Sequence, residues 1–262
     1  MAILERHDSN GIATLHLNAP ERLNALSDEM LAALKAEIDR LHKDTDTRVV
    51  VIAGRGKAFC AGHDLREMTA GRQAEDGGAA YFADLFSRCT EVMLGLPQIP
   101  QPVIAQVHGI ATAAGCQLVA SCDLAVAAEG TRFGVNGVNI GLFCSTPMVA
   151  LSRNIHRKQA FEMLTTGEFI DASRAAELGL INRTAAPEQL EAETRALAET
   201  VASKLGAAVR IGKRAFYDQL SLPTADAYAY TGAVMVENLM LDDTIEGIDA
   251  FLQKRPPSWS KA

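Results

Sequence analysis

The sequence predicts an α/β fold built on a parallel sheet, followed by a mostly helical last third. Three observations predict it. Short apolar runs at 49–53, 103–107 and 124–128 read as buried strands. Glycine-rich loops follow the first two runs, at 54–64 and 107–115, the places where ligands bind in such sheets. Beyond Pro147 the apolar residues recur at helical spacing almost to the end.

Taken in order, residues 3–6 and 12–17 flank Asn10-Gly11 and read as a hairpin. Residues 18–24 form a loop. Ser27 is placed to cap a helix whose apolar positions are Met30, Leu31, Leu34, Ile38 and Leu41. Residues 65–80 are polar and glycine-containing, and read as a mobile segment. Helical periodicity returns over 80–96, and Pro97, Pro100 and Pro102 are expected to end it. Further helices are expected over 148–165, 173–179, 188–204, 207–220, 224–240 and 244–253, with only 180–184 extended. No linker or repeat divides the chain. A soft boundary near 195 separates a core (1–195) from a helical appendage (196–262).

A chain of 262 residues can bury a sizeable core. Its net charge of −7 does not support nucleic-acid binding. No apolar run reaches the ~20 residues of a membrane helix. The first residues resemble neither a signal peptide nor an Arg-rich transit sequence, so a cytosolic protein is expected. The five cysteines include no CxxC pair, and their odd number argues against a disulfide framework. His7, His16, His42 and His156 show no metal-ligand spacing along the chain.

The stretch 107–142 is the centre of the sequence. A strand enters the small residues Ala111 to Gly115, and a helix follows. Small residues let a ligand approach the backbone, and a helix N-terminus offers free N–H groups to negative charge.

The order and spacing of several segments carry a family resemblance. They are NAPERLNAL (18–26), GKAFCAGHDL (56–65), VIAQVHGI (103–110), AGCQL (114–118), CDL (122–124), FG (133–134), TGE (166–168), AAELGL (175–180) and KRP (254–256). Together they resemble the crotonase, or enoyl-CoA hydratase/isomerase, superfamily over nearly the whole chain. The segment GLFCSTP (141–147) resembles one subgroup of it.

The resemblance implies a crotonase-like spiral of ββα units with a C-terminal helical trimerisation region. It implies a homotrimer or a dimer of trimers, and a CoA thioester as ligand with no other cofactor. Two backbone N–H groups, those corresponding to His63 and Ala114, would form an oxyanion hole; Gly115 follows the second donor. The CoA end would lie near Arg22, Ala61, Asp64 and Leu65. Arg22 reads equally as a solvated loop cation, and Asp64 is placed to cap the next helix. A further phosphate contact from Lys254 or Arg255 of a neighbouring subunit competes with a solvated tail.

The sequence departs from the hydratase pattern at both acids. Gln117 stands at the first glutamate and Gly137 at the second, and neither can ionise. The position of a further dienoyl-isomerase acid falls near Ser145. Gln117 can bind a carbonyl or water, or be satisfied by backbone. Cys144 is a candidate nucleophile for a thioester, but it lacks an obvious base, which favours a quiet thiol; with Gly115 and Gly137 it is expected to line the substrate site. His63 acts through its backbone in this resemblance; its imidazole is a secondary candidate. Glu67 either projects toward the pocket from the first helical turn or, as favoured, lies on a solvated face, and His108 reads as structural. Two functions follow: an acyl-CoA enzyme working through an enolate, or a non-catalytic acyl-CoA binder. A bare scaffold is disfavoured by the intact small-residue loops.

Overall fold

Strand β1 (Leu4–Ser9) turns at Asn10-Gly11 into the antiparallel strand β2 (Ile12–Leu17). Both turn residues have positive φ, 54° and 73°, as a two-residue hairpin requires. The computed structural model describes residues 2–259. Helix α1 (Asp28–Leu41) is capped by Ser27, whose side chain accepts from the Met30 N–H at 3.2 Å. Its five expected apolar residues are all buried. Strand β3 (Val49–Gly54) then lies parallel to β2.

The segment expected to be mobile is ordered by two carboxylates. Asp64 caps helix α2 (Leu65–Gly71). Asp76 accepts from the N–H groups of Gly78 and Ala80, each at 2.9 Å, where helix α3 (Ala79–Gln98) starts. Pro97 does not stop α3 but lies inside its last turn. Only the bond its missing N–H would make is lost there.

Strand β4 (Val103–Val107) is followed by the short β5 (Ile110–Thr112), helix α4 (Ala114–Ser121), β6 (Leu124–Ala128) and β7 (Arg132–Gly134). Next come α5 (Pro147–Asn154), α6 (Arg157–Thr166), β8 (Ile170–Asp171), α7 (Ala172–Leu178), β9 (Arg183–Ala185) and α8 (Leu190–Ala202). The main sheet has the order β1-β2-β3-β4-β6-β9 and is parallel apart from the β1–β2 hairpin. A second sheet, β5-β7-β8, stands beside it. These strands of two or three residues are too short to show alternation in sequence.

The sheet buries both faces. Leu15, Leu17, Val50, Ile52 and Ala105 meet α1, α3 and α4 in the larger core. Ile12, Val49, Val51, Ile104 and Val126 meet Leu190 and Ala198 of α8 in the smaller one. Residue 195 therefore falls inside a helix that covers the sheet, and outlying helices begin only after Ala202.

The last helices are α9 (Gly206–Gln219), α10 (Thr224–Leu239) and α11 (Asp242–Leu252). Lys213 and Tyr217 of α9 grip Asp123 at 2.7 Å each. Helix α10 buries no residue and exposes Tyr228, Met235, Val236 and Leu239. No helix among the described residues is long and apolar enough to cross a membrane.

Candidate functional site

The loop after β3 is threaded between two other segments. On one side the Ala61 N–H donates to Leu23 O at 3.0 Å, and the Leu26 N–H to Gly62 O at 2.7 Å. On the other, the Cys60 N–H donates to Ile110 O and the Thr112 N–H to Cys60 O, both at 3.1 Å. Asn24 locks the arrangement. Its Oδ1 accepts from the Ala19 N–H, and its Nδ2 donates to the carbonyls of Arg55 and Ala58 at 2.8 Å each. Asn24 is fully buried in the left-handed region, φ 53°, which asparagine tolerates better than most residues.

The 60–64 loop and the start of α4 are in contact. A Cβ on Gly62, whose φ is 91°, would lie 3.0 Å from Ala113 Cβ and 3.3 Å from the Ala114 nitrogen. Among the described residues, the N–H groups of His63 and Ala114 have no hydrogen-bond partner. Two free donors thus stand on abutting loops, one of them at a helix N-terminus.

Ala113 sets the direction of the second donor. Its φ of 50° and ψ of −119° form a conformation that alanine rarely adopts. The Ala113 N–H is held by Gly134 O at 2.9 Å, and Ala113 O takes the Gln117 N–H at 3.0 Å. Sequence reading missed Ala113, because a left-handed position is signalled by glycine or asparagine. Gly115 is required by packing: a Cβ there would collide with Cys60 O.

Burial lowers the pKa of His63, with the Arg88 charge adding to it against the hydrogen bond to Leu26 O. The imidazole has Nδ1 at 3.4 Å from Leu26 O, meets Phe86 in a T-shaped pair, and has Nε2 buried without a partner.

The other side of the site holds no carboxylate at positions 117 or 137. Gln117 is buried, and its Oε1 has no partner. Gly137 lies in a 3-10 turn, Asn136–Ile140. A Cβ at Gly137 would collide with Leu142 O and stand 2.9 Å from Cys144 Sγ. The Leu142 N–H donates to Gly137 O at 3.0 Å, closing the loop over this position. Thr112 Oγ1 donates to Asn136 Oδ1 at 2.5 Å, and Asn139 Nδ2 to Gly167 O at 3.2 Å, so both asparagines hold the turn. Burial raises the Cys144 thiol above its usual pKa. Burial also pushes the neighbouring Cys116 up to about 12. Both remain thiols.

At the outer rim, Arg22 Nη1 reaches Asp64 Oδ2 at 3.2 Å and Glu67 Oε1 at 3.4 Å. Asp64 is buried and accepts from the Arg66 N–H at 2.8 Å, as a cap should. Glu67 is not a solvated side chain: its Oε2 accepts the Asp28 N–H at 2.8 Å, at the start of α1. Leu65 is exposed and Ala61 half-buried beside this cluster. His108 is structural, with Nε2 at 2.9 Å from Gly56 O.

A sheet whose strand-end loops meet in this way is a crotonase-like α/β fold, as solved structures show. A crystal structure of an enoyl-CoA hydratase from Mycobacterium smegmatis matches with a TM-score of 0.95 at 52% identity, covering 99% of each chain. The human enoyl Coenzyme A hydratase domain-containing protein 3 matches with a TM-score of 0.93 at 44% identity, over 98% of this chain and 100% of that one.

The chain belongs to the enoyl-CoA hydratase/isomerase family, whose sequence model matches residues 7–262. Within it, the mouse enoyl-CoA hydratase domain-containing protein 3, mitochondrial, is 47% identical over 96% of this chain and 82% of its own length. The subgroup resemblance read at 141–147 is to this type. The expectation of a cytosolic protein is overturned here: the mouse, rat and human relatives are all named as mitochondrial. Absence of a recognisable N-terminal address was too weak a basis for that expectation.

Proposed function

We propose that the protein binds an acyl-CoA thioester and polarises its carbonyl toward an enolate with the N–H groups of His63 and Ala114. The observation that carries this reading is the pair of unpartnered N–H groups on abutting loops. Preorganised donors of this kind contribute about 3 kcal/mol each to an oxyanion transition state. Gln117 would hold a water or a substrate carbonyl. The CoA moiety would run along Arg22, Ala61, Asp64 and Leu65, with no other cofactor required.

Ordinary hydration of an enoyl-CoA is not the reaction we propose. It needs one group to activate water and another to move a proton, and neither Gln117 nor Gly137 ionises. The closed 137–144 loop favours a second reading in which the protein binds acyl-CoA without turning it over.

A thermal-shift panel of acyl-CoA thioesters, followed by mass spectrometry for products, separates these readings. We expect several thioesters to raise Tm. Calorimetry that detects no acyl-CoA at millimolar concentration would overturn both readings. The bare apolar face of α10, continued by Ile245, Ile248 and Phe251 of α11, supports assembly of the C-terminal helices into a homotrimer or dimer of trimers. Multi-angle light scattering tests it, and a monomer at micromolar concentration contradicts it.

A further inference from the structure

The edge hairpin carries a cluster that the order of residues along the chain conceals. Glu5 lies directly across from His16 in the β1–β2 register, and His7 is two residues beyond Glu5 on the same strand. All three side chains therefore project from one face. Each offers a ligand atom, and these atoms lie within 4.8 Å of one another. His7 Nε2 is 3.8 Å from Glu5 Oε2, and the two imidazole rings meet edge-on with centroids 5.5 Å apart. Ile12 and His16 share this face, and Ile12 packs toward α8. The cluster borders a cavity of about 320 Å³ that Glu191, Thr194 and Arg195 of α8 line from the other side.

Two details separate the cluster from an ordinary solvated surface. His16 Nδ1 is buried and has no hydrogen-bond partner, a state that normally costs stability. The His16 ring is half-buried between the strand and α8, so it is held in place and not free in solvent. The cation now facing Glu5 is Arg55, at 3.0 Å from Oε2, while Asn18 Nδ2 donates to Oε1 at 3.1 Å. Arg195, the other cation in the cavity, is held by Glu199 at 2.9 Å.

We propose that Glu5, His7 and His16 form a binding site for a borderline divalent metal ion of the Zn2+ type, separate from the thioester site. Two imidazole nitrogens and one carboxylate oxygen suit Zn2+, Ni2+ or Cu2+, and not Mg2+ or Ca2+, which prefer all-oxygen shells. Three protein ligands leave a coordination position for water, so the site is open and not of the closed structural kind. A bound ion would cross-link the two strands of the sheet edge, because His16 lies on β2 and Glu5 and His7 on β1. Arg55 would move aside, since a guanidinium and a metal ion compete for the same carboxylate.

The test is titration of Zn2+ and Co2+ into the full, untagged, chelator-treated chain, followed by calorimetry, Tm and the visible Co2+ spectrum. One equivalent of Zn2+ should bind and raise Tm, and Mg2+ should do neither. His7→Ala and His16→Ala should each abolish the binding while leaving acyl-CoA thermal shifts unchanged. Arg55→Ala should tighten it. No Zn2+ binding by the native chain overturns the proposal, and so does undiminished binding by His7→Ala. His7 is largely exposed, so that variant decides the question even if His16→Ala fails to fold.

Discussion

The two sides of the candidate site are built from different materials. The donor side, 60–64 with 112–115, is backbone held by backbone: the atoms proposed to work are amide N–H groups, and apart from His63 and Asp64 its side chains are small. The acid side, 117 with 136–144, depends in hydratases on side chains, and here it offers an amide and a glycine. Backbone function survives side-chain change, whereas carboxylate function is lost with one substitution. In the function proposed above, the fold keeps a ligand site while its proton-transfer side chains are replaced.

The comparison is broken most severely at Gly115. In Gly115→Ala the new methyl group meets Cys60 O, so the donor loops must separate. We expect a loss of about 3 kcal/mol, as for overpacking of a tight core. Urea denaturation should show it, and acyl-CoA thermal shifts should vanish with it.

The acid side is probed by Gln117→Glu with Gly137→Glu. A pocket lacking only its acids would gain crotonyl-CoA hydration in this double variant. The structure predicts otherwise, because a side chain at 137 collides with Leu142 O and crowds Cys144. We expect a cost of about 2 kcal/mol and no hydration. We also expect native turnover of crotonyl-CoA well below about 10 per second, the median for enzymes. A rapid native hydratase would show that the reading of Gln117 and Gly137 is wrong.

Ala113→Gly sharpens the donor side more gently. Glycine adopts the observed backbone angles without the alanine penalty, and stability should rise by about 1 kcal/mol. Acyl-CoA affinity should fall slightly as the Ala114 N–H becomes less fixed. A drop in stability would mean that Ala113 is held by contacts stronger than its strain.

The smallest effect concerns pH. Burial holds the His63 pKa below its ordinary 6.5. Below pH 6.5 the unfolded chain takes up a proton that the folded protein refuses, so stability falls as the pH drops toward the folded pKa. His16 is depressed in the same direction and adds to the loss. His63→Gln should remove part of this acid-side slope in denaturation curves, with stability above pH 7 little changed.

Much of this was legible in the sequence, and the omissions share a cause. Ser27 and Asp64 announced their caps, and the apolar runs announced the strands, because these signals are local. The two N–H groups proposed as donors, those of His63 and Ala114, follow from family spacing. What could not be read depends on partners distant in sequence. Thr112 finds Asn136, Glu67 finds Asp28, and Asn139 finds Gly167. The β5-β7-β8 sheet is made of strands too short to show a period. Glu5, His7 and His16 meet only because the hairpin register brings them together.

The grip on Asp123 says which of the last helices should share the protection of the sheet. One carboxylate takes Tyr217 on Oδ1, and Lys213 and the Val103 N–H on Oδ2. The same lysine donates to Leu96 O and Gln101 O at 2.8 Å each. Helix α9 is thereby riveted to the start of β4, the end of α3 and the entry to β6. Amide hydrogen exchange should report α9 with the protection of the sheet, while the uncovered α10 opens on its own. Helix α10 buries no residue but is tied to α9 by Tyr230 to Asp218 at 2.8 Å and by Arg214 to Glu237, and α11 buries Ala250, so these helices should form the less protected end of the same chain.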